Sequence, residues 1–136
     1  MQESAINAEE RTLSDYEYRA AQTKLVMNLF QLWQLDQESQ LNLLDQSPKS
    51  RTLITKYRKG AGVLPRGRDL SKRVGLLLSI HKSLVLLFPE DKEIQQNWIH
   101  QRNQLLDNYT PLEVMKEQGL FGIAKVARFL DFYRGQ

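Results

Sequence analysis

Residues 70–88 read LSKRVGLLLSIHKSLVLLF, and this stretch predicts a long helix with a wide apolar face. Its most apolar run, Val74–Phe88, is 15 residues long and contains His81 and Lys82, so it is too short and too polar to span a bilayer. A helix this apolar packs in the centre of a core or in a dimer seam, so the other elements are expected to pack around it. The positions on one helical face are Leu70, Val74, Leu77, Leu78, His81, Leu84, Val85 and Phe88.

The composition around this stretch also favours helices. The 136 residues include 22 leucines against 12 isoleucines and valines together, and glutamine is abundant. Leucine and glutamine form helices well, whereas strands are enriched in β-branched residues. The chain also lacks an alternating pattern with a tight glycine turn, which is typical of a hairpin. The sequence therefore predicts an all-α fold, as one domain or two small ones.

Capping residues predict where the helices of the first half begin and end. Ser14, with Glu17 three residues later, predicts the start of the first helix, and Asp36 predicts the start of a short second one. Ser47 followed by a proline predicts the next start. Gly60 predicts its end. The inward positions of the first helix are expected to be Leu25, Val26, Leu29, Phe30, Leu32 and Trp33.

The same reasoning divides the second half. Glu90 and Asp91 predict one helix start, and Thr110 with Glu113 three residues later predicts another as a capping box. Asp107-Asn108 predicts a turn, and Gly119 is expected to end a helix before a last one over residues 122–133. The predicted organisation is a flexible arm over 1–13, a helix-turn-helix-like region over 14–62, a linker over 63–69 and a second helical domain over 70–136.

Positive charge is concentrated in one segment. Residues 49–73 carry nine cations and one acid, while the whole chain has a net charge of only +3. Such a cluster suits a polyanion, although it is also compatible with a solvated surface or with one that meets the acidic first third of the chain.

Two short helices joined by a turn of about three or four residues, the second helix basic, match the helix-turn-helix plan. Asp45 stands in that turn, where glycine is common, and aspartate tolerates a left-handed conformation. The alternative is a purely structural helical pair. The second helix, predicted over Pro48–Arg58, is the candidate recognition helix. The candidate DNA-binding residues in and around it are Lys49, Ser50, Arg51, Thr52, Lys56, Arg58 and Lys59.

Catalytic chemistry is not indicated. The chain has no cysteine and two histidines, and it lacks the glycine-rich, zinc-protease and serine-hydrolase motifs. His81 is expected to be a hydrogen-bonded core residue and His100 to lie at the surface. We therefore expect no enzyme, no metal and no cofactor. The lack of cysteine and of a visible signal peptide predicts a cytoplasmic protein without a membrane partner.

Residues 70–133 resemble the Xre/MbcA/ParS toxin-binding domain of bacterial antitoxins. The most specific parts are Leu87-Phe88-Pro89 at its distance from Trp98, and the helix start Pro111-Leu112-Glu113. Residues 35–60 also resemble the helix-turn-helix that precedes this domain in the family. The sequence departs from the family pattern at Gln101-Arg102 and at Asp107-Asn108-Tyr109, where a glycine pair is common.

The resemblance implies an antitoxin that covers the active-site cleft of a RES-type toxin, an enzyme that consumes NAD⁺. It also implies a homodimer that represses its own operon by binding operator DNA. Candidate toxin-binding residues are the aromatic and arginine side chains Tyr109, Arg128, Phe132, Tyr133 and Arg134, since these residue types often dominate interface energy. Phe132 and Tyr133 could instead pack against the first helix. The alternatives are a stand-alone regulator whose C-terminal domain only dimerises, and a helical adaptor that binds neither partner.

Overall fold

The protein is described here by a computed structural model, which covers the backbone of residues 2–135 and the side chains of residues 14–135. Its α-helices are α1 (Gln2–Leu32), α2 (Gln37–Leu43), α3 (Arg51–Lys59), α4 (Arg68–Leu87), α5 (Lys92–Asn97) and α6 (Pro111–Arg134). Short 3₁₀ turns cover Trp98–His100 and Gln104–Leu106. Extended pairing within the described residues is limited to one isolated bridge, between Asn103 and Tyr109, so the all-α prediction is confirmed.

Helix α1 begins at Gln2 rather than near Ser14, so the start predicted from the Ser14 capping box is wrong. The flexibility of residues 1–13 stays a prediction, because their side chains lie outside the described part of the chain. Most of the predicted inward face is confirmed, since Val26, Leu29, Phe30 and Trp33 are buried and Leu32 is half-buried. Leu25 is an exception, with 51% of its surface exposed.

Helix α2 begins where predicted, because the Asp36 carboxylate accepts a hydrogen bond from the Ser39 backbone N–H at 2.8 Å. The start predicted for α3 is wrong. Ser47–Ser50 forms a turn, in which the Ser50 N–H donates to the Ser47 carbonyl at 2.9 Å, and the helix starts at Arg51. Pro48 lies in that turn, so it is not the first residue of a helix. The predicted end is confirmed, because Gly60 is left-handed with φ 74°.

The segment between α3 and α4 is fixed to α1 by hydrogen bonds. The Leu64 N–H donates to the Thr23 hydroxyl at 2.9 Å, and Arg19 donates to the Leu64 carbonyl at 2.9 Å. Leu64 is only 4% exposed and belongs to the core. Its backbone groups are therefore satisfied by side chains of α1, as buried polar groups must be.

Helix α4 occupies the centre of the fold, as its apolar sequence predicts. Val74, Leu77, Ile80 and Leu84 are buried, and α4 makes its most extensive packing with α6. The prediction that His81 is a hydrogen-bonded core residue is wrong. Its side chain is half-buried, and its Nδ1 atom is buried without a hydrogen-bond partner. Burial lowers the pKa of His81 from its usual 6.5.

The local signals of the second half are confirmed. Asp91 caps α5 by accepting from the Ile94 N–H at 3.0 Å, and Asp107 and Asn108 turn the chain with φ of 56° and 65°. Thr110 forms the capping box of α6, in which the Glu113 N–H donates to its hydroxyl at 3.0 Å. Gly119 interrupts α6 at φ 61° and ψ −139°.

Both halves contribute to one hydrophobic core, which includes Trp33 and Ile54 from the first and Leu77 and Met115 from the second. Polar contacts also join them. Lys116 of α6 pairs with Glu38 of α2 at 2.8 Å, and the buried Arg73 donates to the Leu43 carbonyl at 3.2 Å. Among the described residues, no helix has the length and apolar character needed to cross a membrane.

Candidate functional site

Two surfaces carry the residues selected from the sequence, one on α3 and one at the end of α6. On α3, the buried side chains Ile54 and Tyr57 face the core. At 100° per residue, Thr52, Lys56 and Lys59 fall on the opposite side of the helix, and Arg51 lies at its edge, about 60° from Ile54. We define the α3 basic face as the exposed residues Lys49, Arg51, Thr52, Lys56 and Lys59.

Two of the selected residues are not on this face. Ser50 is half-buried at the cap position of α3 and makes no side-chain capping bond. Arg58 lines a cavity of about 300 Å³ together with Met27 and Gln31 of α1. Its side chain is thus at the junction with α1, although it remains exposed.

The charges of α3 are not neutralised by the described acids. The carboxylates of Asp15, Glu38 and Asp69 pair with cations outside α3, so the acidic first third does not cover this helix through its described side chains. Lys56, Arg58 and Lys59 lie in the last turn, where cations stabilise the helix dipole.

Arg51 is placed differently, because it stands at the N-terminal end of α3, where a cation is unfavourable. The stability of α3 therefore does not account for Arg51.

The connection between α2 and α3 is longer than the helix-turn-helix plan predicts. Residues 44–50 separate the two helices, since the Ser47–Ser50 turn replaces the expected first turn of α3. Asp45 adopts the left-handed conformation expected of it, with φ 54°. The prediction of a three- or four-residue turn is therefore wrong, although α2 and α3 do pack together.

At the other surface, the residues selected from the sequence have different environments. Tyr133 is 40% exposed and packs on Phe129 with ring centroids 5.0 Å apart, and Phe129 in turn lies 6.2 Å from Trp98. A cavity of about 150 Å³ beside these rings is lined by Leu87, Phe88, Trp98, Asn103, Phe129, Leu130 and Tyr133. Tyr133 is therefore an anchored part of an aromatic row.

Arg134 is also anchored, since it donates to the Ser83 hydroxyl of α4 at 3.3 Å and lies 3.6 Å from the Asp131 carboxylate. Tyr109 is 45% exposed and follows the turn at Asn108, with its backbone bridged to Asn103. Arg128 and Phe132 differ from these, because both are exposed on the outer side of α6 and Phe132 is 66% exposed.

Sequence reasoning missed two further residues on that outer side. Phe121 is 73% exposed, and Lys125 is exposed one turn later. The signal was present as spacing, because Phe121, Lys125, Arg128 and Phe132 stand at i, i+4, i+7 and i+11. The last helix is predicted from the sequence to start at residue 122, so Phe121 is left outside this spacing. In the structure, Phe121 lies within α6, two residues after the Gly119 break.

The described residues contain no group of three potential metal ligands. A cavity of about 560 Å³ between α1 and residues 64–74 has one carboxylate in its lining, Asp15, which is paired with Arg19 and Arg66. His100 is bonded to the Trp33 carbonyl at 2.6 Å.

Comparison with known proteins finds a match in the second half of the chain. Residues 83–135 match the family model of the antitoxin Xre/MbcA/ParS C-terminal toxin-binding domain. The matched segment runs from the last turns of α4 through α6, so it contains the aromatic row and the outer side of α6. No curated protein and no solved structure matches the chain.

Proposed function

We propose that residues 83–135, which match the antitoxin Xre/MbcA/ParS C-terminal toxin-binding domain, bind a toxin, and that the chain neutralises a RES-type toxin by covering its active-site cleft. The family match carries the proposal. The exposed residues Arg128 and Phe132 within the matched segment support it, because aromatic and arginine side chains often dominate the energy of protein interfaces. The chain acts by binding and supplies no catalytic group to the reaction.

The toxin-binding residues in this proposal are Tyr109, Arg128, Phe132, Tyr133 and Arg134. Tyr133 and Arg134 are held by contacts with Phe129 and Ser83, which limits the side-chain entropy lost when a partner binds. Tyr133 and Arg134 therefore suit a rigid contact surface beside the more exposed Arg128 and Phe132.

The proposal has a second part, in which the α3 basic face binds operator DNA and represses the operon that encodes the antitoxin and its toxin. Its support is the concentration on α3 of cations that pair with no described carboxylate, with Arg51 at the helix N-terminus, where the helix itself gains nothing from it. A homodimer would present two such faces to the half-sites of an operator.

The test uses the full chain and the RES-domain protein encoded beside its gene. We expect the two to copurify as a stoichiometric complex, and we expect the complex to consume NAD⁺ far more slowly than the free toxin does. If the toxin stays fully active in excess antitoxin, the proposal is wrong. A chain that instead binds its own promoter DNA but no toxin is the stand-alone regulator.

Truncation is a poor way to test this interface. Removing the residues after Leu120 also removes Ile123, Val126, Ala127 and Leu130, all of them buried in the core. Loss of neutralisation by such a variant would report unfolding, so surface substitutions on the full chain are needed.

A further inference from the structure

The second part of α6, after Gly119, has an outward side that no other described element covers. Phe121, Lys125, Arg128 and Phe132 lie on it, and we call these four residues the α6 stripe. At 100° per residue they fall within an arc of about 60°. Phe121 and Phe132 are 73% and 66% exposed.

The side of α6 opposite the stripe explains why the stripe faces outward. Ile123, Val126, Ala127 and Leu130 are buried, and their positions centre about 180° from the stripe. The helix is therefore fixed by its inner side, and the two phenylalanines cannot turn inward without exposing that core. Large aromatic side chains held this way raise the energy of the free protein and are typical of interaction sites.

The geometry of the stripe is specific. Its two aromatic ends are eleven residues apart, which is about 16 Å along a helix at 1.5 Å per residue. Lys125 and Arg128 lie between them, and neither is within ion-pair distance of a described carboxylate. The stripe is thus a cationic centre with an apolar anchor at each end.

A second copy of the chain does not fit this pattern. In an antiparallel twofold pairing of two stripes, Lys125 of one copy faces Arg128 of the other, and in a parallel pairing each cation faces its own counterpart. Like charges placed together at an interface cost several kcal/mol. The stripe therefore favours a different partner, whose surface is acidic in the centre.

We propose that the α6 stripe is the main toxin-anchoring surface, and that the toxin offers it an acidic strip between two apolar pockets about 16 Å apart. This inference rests on the proposed function. The acidic strip lies on the rim of the toxin's substrate entrance, because the site that holds the phosphates of NAD⁺ needs cations or N–H donors and would repel Lys125 and Arg128. The stripe thereby holds the domain across the entrance without filling the phosphate site.

The aromatic anchors are tested by isothermal titration of the purified toxin with the full chain carrying Phe121→Ala and Phe132→Ala. Buried aromatic anchors contribute 2 kcal/mol or more at interfaces, so we expect affinity to fall by at least about thirtyfold. The control is the double variant Leu86→Ala/Leu105→Ala, which removes two side chains that are 54% and 68% exposed elsewhere in the fold. It is expected to bind like the wild type.

The cationic centre is tested by Lys125→Glu/Arg128→Glu against Lys82→Glu/Lys92→Glu, which makes the same change in net charge at exposed positions outside the stripe. Of these two variants, we expect only Lys125→Glu/Arg128→Glu to bind the toxin weakly. Its affinity should rise with salt, whereas the affinity of the wild type should fall.

The outcomes distinguish a failure of this inference from a failure of the proposed function. If the wild-type chain does not bind the toxin, the proposed function fails. If it binds and both stripe variants bind equally well, the toxin contacts another surface and only the inference is overturned. If the phenylalanine variant changes the oligomeric state of the chain in sedimentation, the stripe pairs two copies, which also overturns the inference.

Discussion

The α3 basic face and the α6 stripe are both exposed and cationic, yet they differ in what accompanies the charge. The α3 basic face combines cations with a small hydroxyl side chain, Thr52, and has no exposed aromatic residue. The α6 stripe places its cations between two exposed phenylalanines. Phosphates require charge and hydrogen-bond donors, whereas protein interfaces obtain most of their energy from a few large anchors.

This difference teaches that net charge alone does not distinguish the two kinds of partner. We expect the two kinds of partner to be distinguished by whether exposed aromatic residues stand among the cations, which the structure shows. The two surfaces should therefore respond independently to substitution, and the whole fold should respond to changes at the contacts that join its halves.

The largest effect is expected from reversing charge on the α3 basic face. Arg51→Glu/Lys56→Glu should weaken binding to promoter DNA by about a hundredfold in a titration, and the salt dependence should lose about two counterions. Toxin affinity should stay unchanged, because the α6 stripe is intact.

The matched control for DNA binding is Lys82→Glu/Lys92→Glu, which keeps the α3 basic face and lowers the net charge equally. If both variants lose the same affinity, DNA responds to total charge, and α3 has no special part in binding.

A smaller loss, in stability, is expected from Arg73→Ala. Arg73 is buried and donates to the Asp69 carboxylate at 2.9 Å and to the Leu43 carbonyl of α2 at 3.2 Å. Its removal leaves that carbonyl unpaired, so we expect the free energy of unfolding to fall by about 2 kcal/mol in urea titrations. Arg68→Ala, at an exposed position of the same helix, should have little effect.

The same experiment tests whether the two halves unfold together. The two tryptophans report separate halves, so the Trp33→Phe and Trp98→Phe variants each leave one probe. Because the core is continuous, both probes should show one transition, and Arg73→Ala should shift both. A shift seen by Trp33 alone would make the predicted linker over 63–69 a true boundary.

A loss of about 1 kcal/mol is expected when a helix cap is removed in either half. Asp36→Ala removes the cap of α2, and Thr110→Ala removes that of α6. Asp36→Asn should lose less in thermal melts, because its amide oxygen still accepts from the Ser39 N–H. Hydrogen bonds from the backbone and the side chain of Ser39 lower the pKa of Asp36 below its usual 3.8. The stabilisation by the Asp36 carboxylate is therefore present above pH 3.8 and is lost as pH falls through the lowered pKa.

The smallest effect concerns the pH dependence of stability through His81. Burial lowers the pKa of His81 in the folded chain below the usual 6.5, so the unfolded chain binds its proton first as pH falls. Stability is therefore full above pH 6.5 and declines as pH falls from there through the folded pKa. His81→Gln should flatten the melting temperature over that range; an unchanged slope would assign it to other groups.

The sequence predicted the parts of the fold that local chemistry determines. Asp36, Asp91 and Thr110 begin helices as expected, because each carries an oxygen that reaches an N–H two or three residues away. Gly60 and Gly119 end or break helices as expected, because their positive φ suits glycine.

The errors arise where local signals are ambiguous or distant packing decides. Ser14 and Ser47 have the same capping chemistry as Asp36, but α1 continues through the first and a turn contains the second. Leu25 has the spacing of a core residue and remains exposed, because which side of α1 is covered depends on elements far along the chain.

The sequence located a positive segment and C-terminal aromatic residues that the structure places at the surface, and their roles as binding sites stay predictions. The sequence could not separate a side chain packed on the domain, such as Tyr133, from one on the outer side of α6, such as Phe132, since the two are adjacent and both aromatic. Tyr133 packs on Phe129 with ring centroids 5.0 Å apart, whereas Phe132 meets the Tyr133 ring edge-on at 6.0 Å and remains 66% exposed.

Occlusion of the substrate entrance of the proposed toxin can be measured by titrating NAD⁺ into a catalytically inactive form of that toxin, alone and saturated with the full chain. Covering the entrance predicts binding of NAD⁺ to the free toxin and none to the complex. Equal affinity for NAD⁺ in the two titrations would show that the entrance stays open, and neutralisation by occlusion would be ruled out.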